Sequence, residues 1–531
     1  MMPSFNGKLI QCWMALTGCV LAAPVHAQTT SGAGSATFVT SYKMIGADAL
    51  PGGVLEPWLA DHVMQSKTLL ELRQLAAELE KKLQTEQGLV SPKVWVPLLE
   101  NNLGEVPIRV LPGMIRGVRF EQPITTRKER RALVLLTSQL QPGALLLKTS
   151  LETTARALAD ILGVPPKLSL VPTATLGQYD VVVSLPKVDT YSLTTGLDNV
   201  GSRYTNTWRD KTQLQIRNPL GSGDTLAIAG QLATPNQKVA QIHYETPIGS
   251  SGYQLGLTSI ASSYHLVDAY ASLDAVGDTH VVGVDLSRGL IRSQSLHITA
   301  RAEAQKKSVR SLQAGVPITH RKIQTVNAGL FLNAPTLGGT TAASWVVTSG
   351  NVDMSQVVND VLSDAAGIGG GYQKMTLHLE QSAALSADRR LQVNLHVQRA
   401  RKNLDATESM LIGGPSGVRA YGLGEGASDS GATLNVELHQ RWSEQWRGFV
   451  FYDHGWASLR QLPIAGSTSV NAYDLNGIGL SAVWTPTART QVALMPTWKL
   501  KLNPNISSTT GTDADGSGRA MRVWLFVTQT F

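Results

Sequence analysis

From residue 189 to the end of the chain, apolar and polar residues exchange places with a period of two, and no helical layer interrupts them. Met375, Leu377 and Leu379 alternate with Lys374, Thr376, His378 and Glu380; Leu391, Val393, Leu395 and Val397 alternate with Gln392, Asn394, His396 and Gln398; Trp498, Leu500 and Leu502 alternate with Lys499 and Lys501. That period places every apolar group of a run on one face of a strand. Turn clusters such as Asn218-Pro219-Leu220-Gly221 and Asp513 to Gly518 separate the runs. At about 20 residues per strand with its connection, the segment holds roughly 16 strands. The last run, Val523, Leu525 and Val527, shares its face with the terminal Phe531 and is interrupted by Gln529.

A soluble sandwich alternates in the same way, so the choice between sandwich and barrel comes from other features. Lys8 gives a positive start, Leu9 to Ala23 is mostly apolar, and Val25-His26-Ala27 ends in a small residue suited to cleavage before Gln28, so residues 1–27 read as an export signal. Both cysteines, Cys12 and Cys19, fall inside it, which leaves a mature chain without a thiol and excludes thiol catalysis and Cys-ligated metal. Leu16-Thr17-Gly18-Cys19 also has the form of a lipoprotein signal, so two fates stand open for Cys19: acylation, or removal with the signal. Charged residues make up only 16% of the chain, against about 25% in ordinary soluble proteins. The net charge of +7 is diffuse, with no basic run interleaved with aromatics, which argues against a nucleic-acid partner. Export, no thiol, and polar faces rich in Gln, His, Lys and Glu together favour a closed antiparallel barrel with a wet interior, spanning the outer membrane.

Residues 37–188 are a different kind of sequence. Thr37 to Ile45 reads as a strand; Leu69, Leu70, Leu72, Leu75, Ala76, Leu79 and Leu83 recur at helical spacing behind Thr68 as N-cap, with Gly88 as the stop; Lys93 to Leu99 and Pro107 to Leu111 read as strands. The order then repeats, with strand Ile115 to Phe120, helix Lys128 to Leu140, helix Leu151 to Leu162 capped by Ser150, and strands Lys167 to Val171 and Tyr179 to Leu185. Two α+β units, 37–113 and 114–188, are expected, of ~75 residues each.

No P-loop, His-Glu-x-x-His, Gly-x-Ser-x-Gly or metal-spaced Cys/His cluster is present, so neither enzymatic activity nor a cofactor is expected. The most specific stretch runs from Ile412 to Asp453. It holds Gly413-Gly414-Pro415-Ser416-Gly417-Val418-Arg419-Ala420-Tyr421-Gly422, then a strand in which Asn435, Glu437 and His439 share the polar face, then Phe451-Tyr452-Asp453-His454-Gly455. A glycine-rich loop is slim enough to enter a narrow lumen, and an Arg carried there requires a carboxylate, because an unpaired charge away from bulk water is costly.

On these residues the chain resembles the outer-membrane transporters of two-partner, type V secretion, the haemolysin secretion/activation proteins of the ShlB/FhaC/HecB type, which share a superfamily with the BamA barrel-assembly proteins. Leu197-Asp198-Asn199 to Asn218-Pro219-Leu220-Gly221-Ser222-Gly223-Asp224 resembles the family's first hairpin, and Glu408 to Gly414 the approach to its sixth loop. The resemblance implies that residues 411–431 fold back into the barrel with Val418, Arg419, Tyr421 and Gly422 at the tip, where Ala420 replaces the family's glycine. It implies that Asp453, in the Phe451-x-Asp453-x-Gly455 motif, pairs with Arg419, and Glu437 is expected beside it. It further implies that the two α+β units are POTRA domains standing in the periplasm, which catch a secreted partner exoprotein, a large β-helical adhesin or haemolysin, and pass it to the barrel without nucleotide hydrolysis. A monomeric barrel contacting outer-membrane lipid and lipopolysaccharide is expected. The family's plug helix has only residues 28–36 available, too short to cross a barrel at ~1.5 Å per residue. A BamA-like assembly factor and a diffusion porin are the competing readings.

Overall fold

A computed structural model describes residues 36–97, 104–186, 189–249, 251–293, 295–336, 338–464, 466, 470–506 and 511–531. The expected signal 1–27, Cys12, Cys19 and the segment 28–35 lie outside the described residues. Between residues 188 and 189 the chain divides into two compact units.

The first unit holds two small α+β modules built to one plan. In the first, Ser41–Ile45 lies parallel to the central strand Glu105–Leu111, and Lys93–Trp95 lies antiparallel on its other side. In the second, Met114–Phe120 is parallel to the central strand Gln178–Ser184, and Lys167–Pro172 is antiparallel to it. The helix Leu69–Thr85 buries Leu72, Leu75, Ala76, Leu79 and Leu83 in one core with Val106, Ile108 and Val110. It starts where it does because Thr68 and Glu71 form a reciprocal capping box. The helix Arg127–Gln139 starts on the same device, Thr126 with Glu129.

Three local expectations are corrected here. Thr37 to Ile45 is two strands in different sheets, because Thr40 gives its N–H to the Gly104 carbonyl (2.8 Å) and the chain changes partner there: Thr37–Val39 pairs with Gln65–Lys67. The strand read as Lys93 to Leu99 ends at Trp95. Ser150 is not an N-cap. The helix runs Lys148–Leu162, with Leu147, which has no polar side-chain atom, at its cap; the Lys148 N–H, in the first turn, is taken by the Gly88 carbonyl at 2.8 Å.

The second unit is a closed barrel of 16 antiparallel strands, from Tyr191–Asp198 to Met521–Thr530. Closure gives every strand a neighbour on each side, as a lipid surround demands. The alternation becomes two environments: in Ala275–Arg292, Val282, Val284 and Leu286 face outward while Asp285 between them is buried inside, paired with Arg301 at 2.9 Å. The seam between the last and first strands is short, with register pairs only from Phe526↔Asp198 to Thr530↔Thr194. Beyond it the Asn199 amide imitates a strand, donating to the Val523 carbonyl and accepting from the Leu525 N–H, both at 2.9 Å. The terminal Phe531 gives its N–H to Leu193 on the first strand at 2.8 Å. The alternation of Trp498, Leu500 and Leu502 outruns its strand, which ends at Lys499; Leu500 instead bonds the Asn476 carbonyl from the connection.

A Lys on the outer face should expose the two environments. Val284→Lys is expected to destabilise the refolded barrel in lipid vesicles by about 2–4 kcal/mol in a denaturant titration; a change below about 1 kcal/mol would contradict a lipid-facing position there.

Candidate functional site

Strand direction fixes where the long connection 401–429 starts: it leaves Arg389–Ala400 and enters Ser430–Arg441 at the end of the barrel opposite to where the first strand begins. It turns back on itself rather than outward. Met410 and Ser428 exchange backbone hydrogen bonds at 2.8 Å, and the Val418 N–H closes onto the Ile412 carbonyl at 2.7 Å, which makes a compact finger. Met410, Ile412, Val418, Ala420 and Tyr421 of this finger are buried with Ala457, Tyr473 and Leu475 of the barrel wall.

At the tip, Arg419 is 4% exposed and Asp453 0%. The guanidinium forks onto Asp453, Nε to Oδ2 at 3.0 Å and Nη2 to Oδ1 at 2.7 Å, and the Arg419 backbone N–H also donates to Oδ2 at 2.9 Å. Asn435 adds a fourth donor to Asp453 at 2.7 Å and bonds the Gly417 carbonyl at 2.8 Å. The third guanidinium nitrogen, Nη1, reaches Glu437 at 2.6 Å, whose other oxygen lies 2.8 Å from His439 Nε2. Phe451 lies beneath the cation, its ring centre 3.6 Å from Cζ. Paired, bidentate and stacked, this buried charge is one whose desolvation is answered on every side.

The strands supply these groups through register. Asn435 stands opposite Asp453 and Glu437 opposite Phe451 across the pair Ser430–Arg441 and Trp446–Ser458, so one patch of wall carries both acids, the amide and the ring. Gly455 leaves the space that the finger fills: a Cβ there would sit 2.4 Å from Ile412 Cγ2 and 2.7 Å from Val418 Cγ2. Tyr421 is fully buried, donates to the Lys501 carbonyl at 3.1 Å and lies under the Lys499 ammonium. Gly422 lies against Asp515. The structure thus brings Val418, Arg419, Tyr421, Gly422, Glu437, Phe451, Asp453 and Gly455 into one cluster.

Sequence reasoning missed three supports. The Arg419 carbonyl accepts from Trp524 Nε1 at 2.8 Å and from Thr497 Oγ1 at 3.2 Å, tying the tip to the last two strands; no local pattern marks either residue. Ala420, in place of glycine, meets Gly477 on the wall, where a Cβ would lie 2.7 Å from that of Ala420. The methyl gained at the tip is matched by one missing from the wall. That exchange could have been sought as a glycine on the polar face of a neighbouring strand.

Comparison with known proteins fits this geometry. A sequence profile of the haemolysin secretion/activation protein family ShlB/FhaC/HecB matches residues 177–477. A heme/hemopexin transporter protein, HuxB of Haemophilus influenzae, is 24% identical over 434 residues, 79% of this chain and 76% of that protein. The outer membrane transporter CdiB-2 of Burkholderia pseudomallei is 24% identical over 255 residues, 46% of this chain and 42% of its own. Among solved structures, CdiB from Escherichia coli superposes with a TM-score of 0.72 at 18% identity, covering 96% of this chain and 93% of that one. BamA from Haemophilus ducreyi lacking POTRA domains 1–3 superposes at 0.52 with 14% identity, covering 93% and 100%.

Gly455→Val should expel the finger by occupying its seat. Limited proteolysis of intact cells is then expected to nick residues 411–431 in the variant and not in the parent; equal protection in both would contradict the packing described.

Proposed function

The chain belongs to the haemolysin secretion/activation proteins of the ShlB/FhaC/HecB family, and from that premise we propose how its parts share the work of two-partner secretion. It is an outer-membrane transporter that secretes a partner exoprotein. The likeness to BamA is one of fold at 14% identity and carries no assembly function with it. Members of the family are transporters, and we read this chain as one that performs no catalysis of its own.

The two α+β modules, 37–113 and 114–188, act as POTRA domains in the periplasm, in this reading. Each is a three-stranded sheet with edge strands, so an unfolded exoprotein can be held by strand addition, whose affinity comes from backbone hydrogen bonds and tolerates many sequences. A porin has no use for such modules. The exoprotein, of the large β-helical adhesin or haemolysin class, then passes through the barrel, and its folding outside biases transit outward in place of nucleotide energy. The barrel works as a monomer embedded in outer-membrane lipid and lipopolysaccharide.

Arg419 is the observation that carries the mechanism. A finger locked to the wall by a forked, four-donor contact at Asp453 and a second carboxylate at Glu437 narrows the lumen in a defined way. Seating the finger shapes the path, and its displacement lets a chain through. Both states are needed for export.

Arg419→Ala should therefore cut secreted exoprotein per assembled barrel severely, because removing one partner of a buried pair costs about 3–5 kcal/mol. Asp453→Ala should do the same, and the double change less than the sum, since the two share one interaction. Lys at 419 should rescue only in part, lacking the planar fork. Full secretion by the Arg419→Ala protein would remove the finger from the mechanism. Separately, deleting residues 37–113 should leave a membrane-inserted, heat-modifiable barrel that exports nothing; normal export would place docking elsewhere.

A further inference from the structure

The limb that carries the finger, residues 401–410, meets a second set of charges away from the tip. Glu408 spans two wall lysines, Lys307 on one oxygen at 2.7 Å and Lys374 on the other at 3.0 Å. Lys374 and Gln398 also donate to the Glu408 carbonyl, at 2.7 and 3.1 Å. Asp405 takes Arg321 Nη1 at 2.8 Å, while the Nε and Nη2 of the same guanidinium fork onto Asp360 at 2.9 and 2.6 Å. Asp360 belongs to the short helix Val358–Leu362 in the neighbouring connection at the same end of the barrel. Beneath lie Ile323, Val352, Met354, Tyr372 and Leu404, one apolar cluster.

Three cations meet three carboxylates here, so the cluster is neutral as a whole and closes on itself without the tip. Lys307, Arg321 and Lys374 stand on the seventh, eighth and tenth barrel strands. The tip's partners Glu437, Asp453, Thr497 and Trp524 stand on the twelfth, thirteenth, fifteenth and sixteenth. The two charge clusters hold the loop on separate arcs of the wall, and Asn403 adds a neutral tie from the limb to the Ala366 and Leu462 carbonyls at 2.7 and 2.9 Å. An apolar clamp could hold the limb equally well, since buried ion pairs rarely exceed hydrophobic packing in net stability. Ions differ in how they release. Each charge separated at the mouth is taken up by solvent, so breaking the ionic contacts adds no apolar surface beyond that uncovered when Leu404 leaves its cluster.

We propose that Glu408 and Asp405 are positioning residues of a second latch, which holds the limb across the far mouth of the barrel independently of Arg419, so that the pore widens fully only when both latches release. The proposal rests on reading the barrel as the export conduit, and its test needs no exoprotein.

The full chain is reconstituted in planar bilayers as parent, E408Q, D405N, R419A and E408Q/R419A, with R441Q as control. Arg441 pairs with Asp388 between two exposed side chains at the opposite end of the barrel, so its loss should leave conduction unchanged. E408Q and D405N are each expected to lengthen the time in the widest conducting state by about tenfold or more. R419A should open the pore only in part, and the double variant should remain open, because sites this far apart contribute independently. Conduction by E408Q like that of the parent in both backgrounds, or R419A as open as the double variant, would overturn the second latch while leaving the tip's role intact. Should the Glu408 and Asp405 variants fail to assemble, a variant on the wall side of the clasp decides the matter. In that protein the lysine facing Glu408 is changed instead: K307Q, which leaves the acid in place, is expected to lengthen the widest conducting state as E408Q does, and parent-like conduction by K307Q, alone and with R419A, would overturn the proposal.

Discussion

One guanidinium organises the lumen. Arg419 sits where bulk water does not reach it, and a charge in that position is tolerable only if every donor finds an acceptor and the acceptors are themselves filled. Asp453 collects four donors, Glu437 takes the remaining guanidinium nitrogen, and the Phe451 ring covers the plane. The rest of the site follows from holding that cation there. The finger must be slim enough to deliver it, the wall must lose side chains at Gly455 and Gly477 to admit the finger, and Trp524 and Thr497 must take the tip's carbonyl.

The same requirement explains a composition that is poor in charge yet full of ion pairs. Outside, lipid forbids charge; inside, charges are affordable only in closed sets. Asp285 with Arg301, Asp198 with Arg209 and Lys211, and the set around Glu408 all follow this rule on the inner face. Each joins neighbouring strands or pins a connection, so the barrel's polar face acts as a network that fixes register and loop position. The seam is the exception. Few backbone pairs close it, and the Asn199 side chain replaces strand where the first strand has ended.

The barrel was legible because its rule is periodic: Met375, Leu377 and Leu379 announce an outward face without knowledge of their neighbours. The pairing of Arg419 with acids on the two following strands was legible through motif and face together, Asp453 through its motif and Glu437 through its strand's polar side. Whatever depended on a partner distant in sequence was not legible. Thr40 looks like mid-strand until Gly104 takes its N–H, Ser150 looks like a cap until Gly88 supplies one earlier, and Leu502 continues an alternation whose strand has stopped at Lys499. Trp524 reads from sequence as one more strand residue, and only its approach to the Arg419 carbonyl gives it a place in the site. Local pattern reports which face a residue occupies, and tertiary contact decides what that face meets.

The account turns on a finger that is seated in the lumen and must leave its seat for export. Cysteines at Ala420→Cys and Gly477→Cys would stand close enough for a disulfide after the two backbones ease apart by about 1 Å, and the bond would nail the tip to the wall. Secreted exoprotein per assembled barrel, compared in cells before and after a membrane-permeant reductant, reads the result. The account expects the bond to form spontaneously, export to fall to background, and reduction to restore it. Undiminished export from barrels carrying the intact disulfide would contradict it.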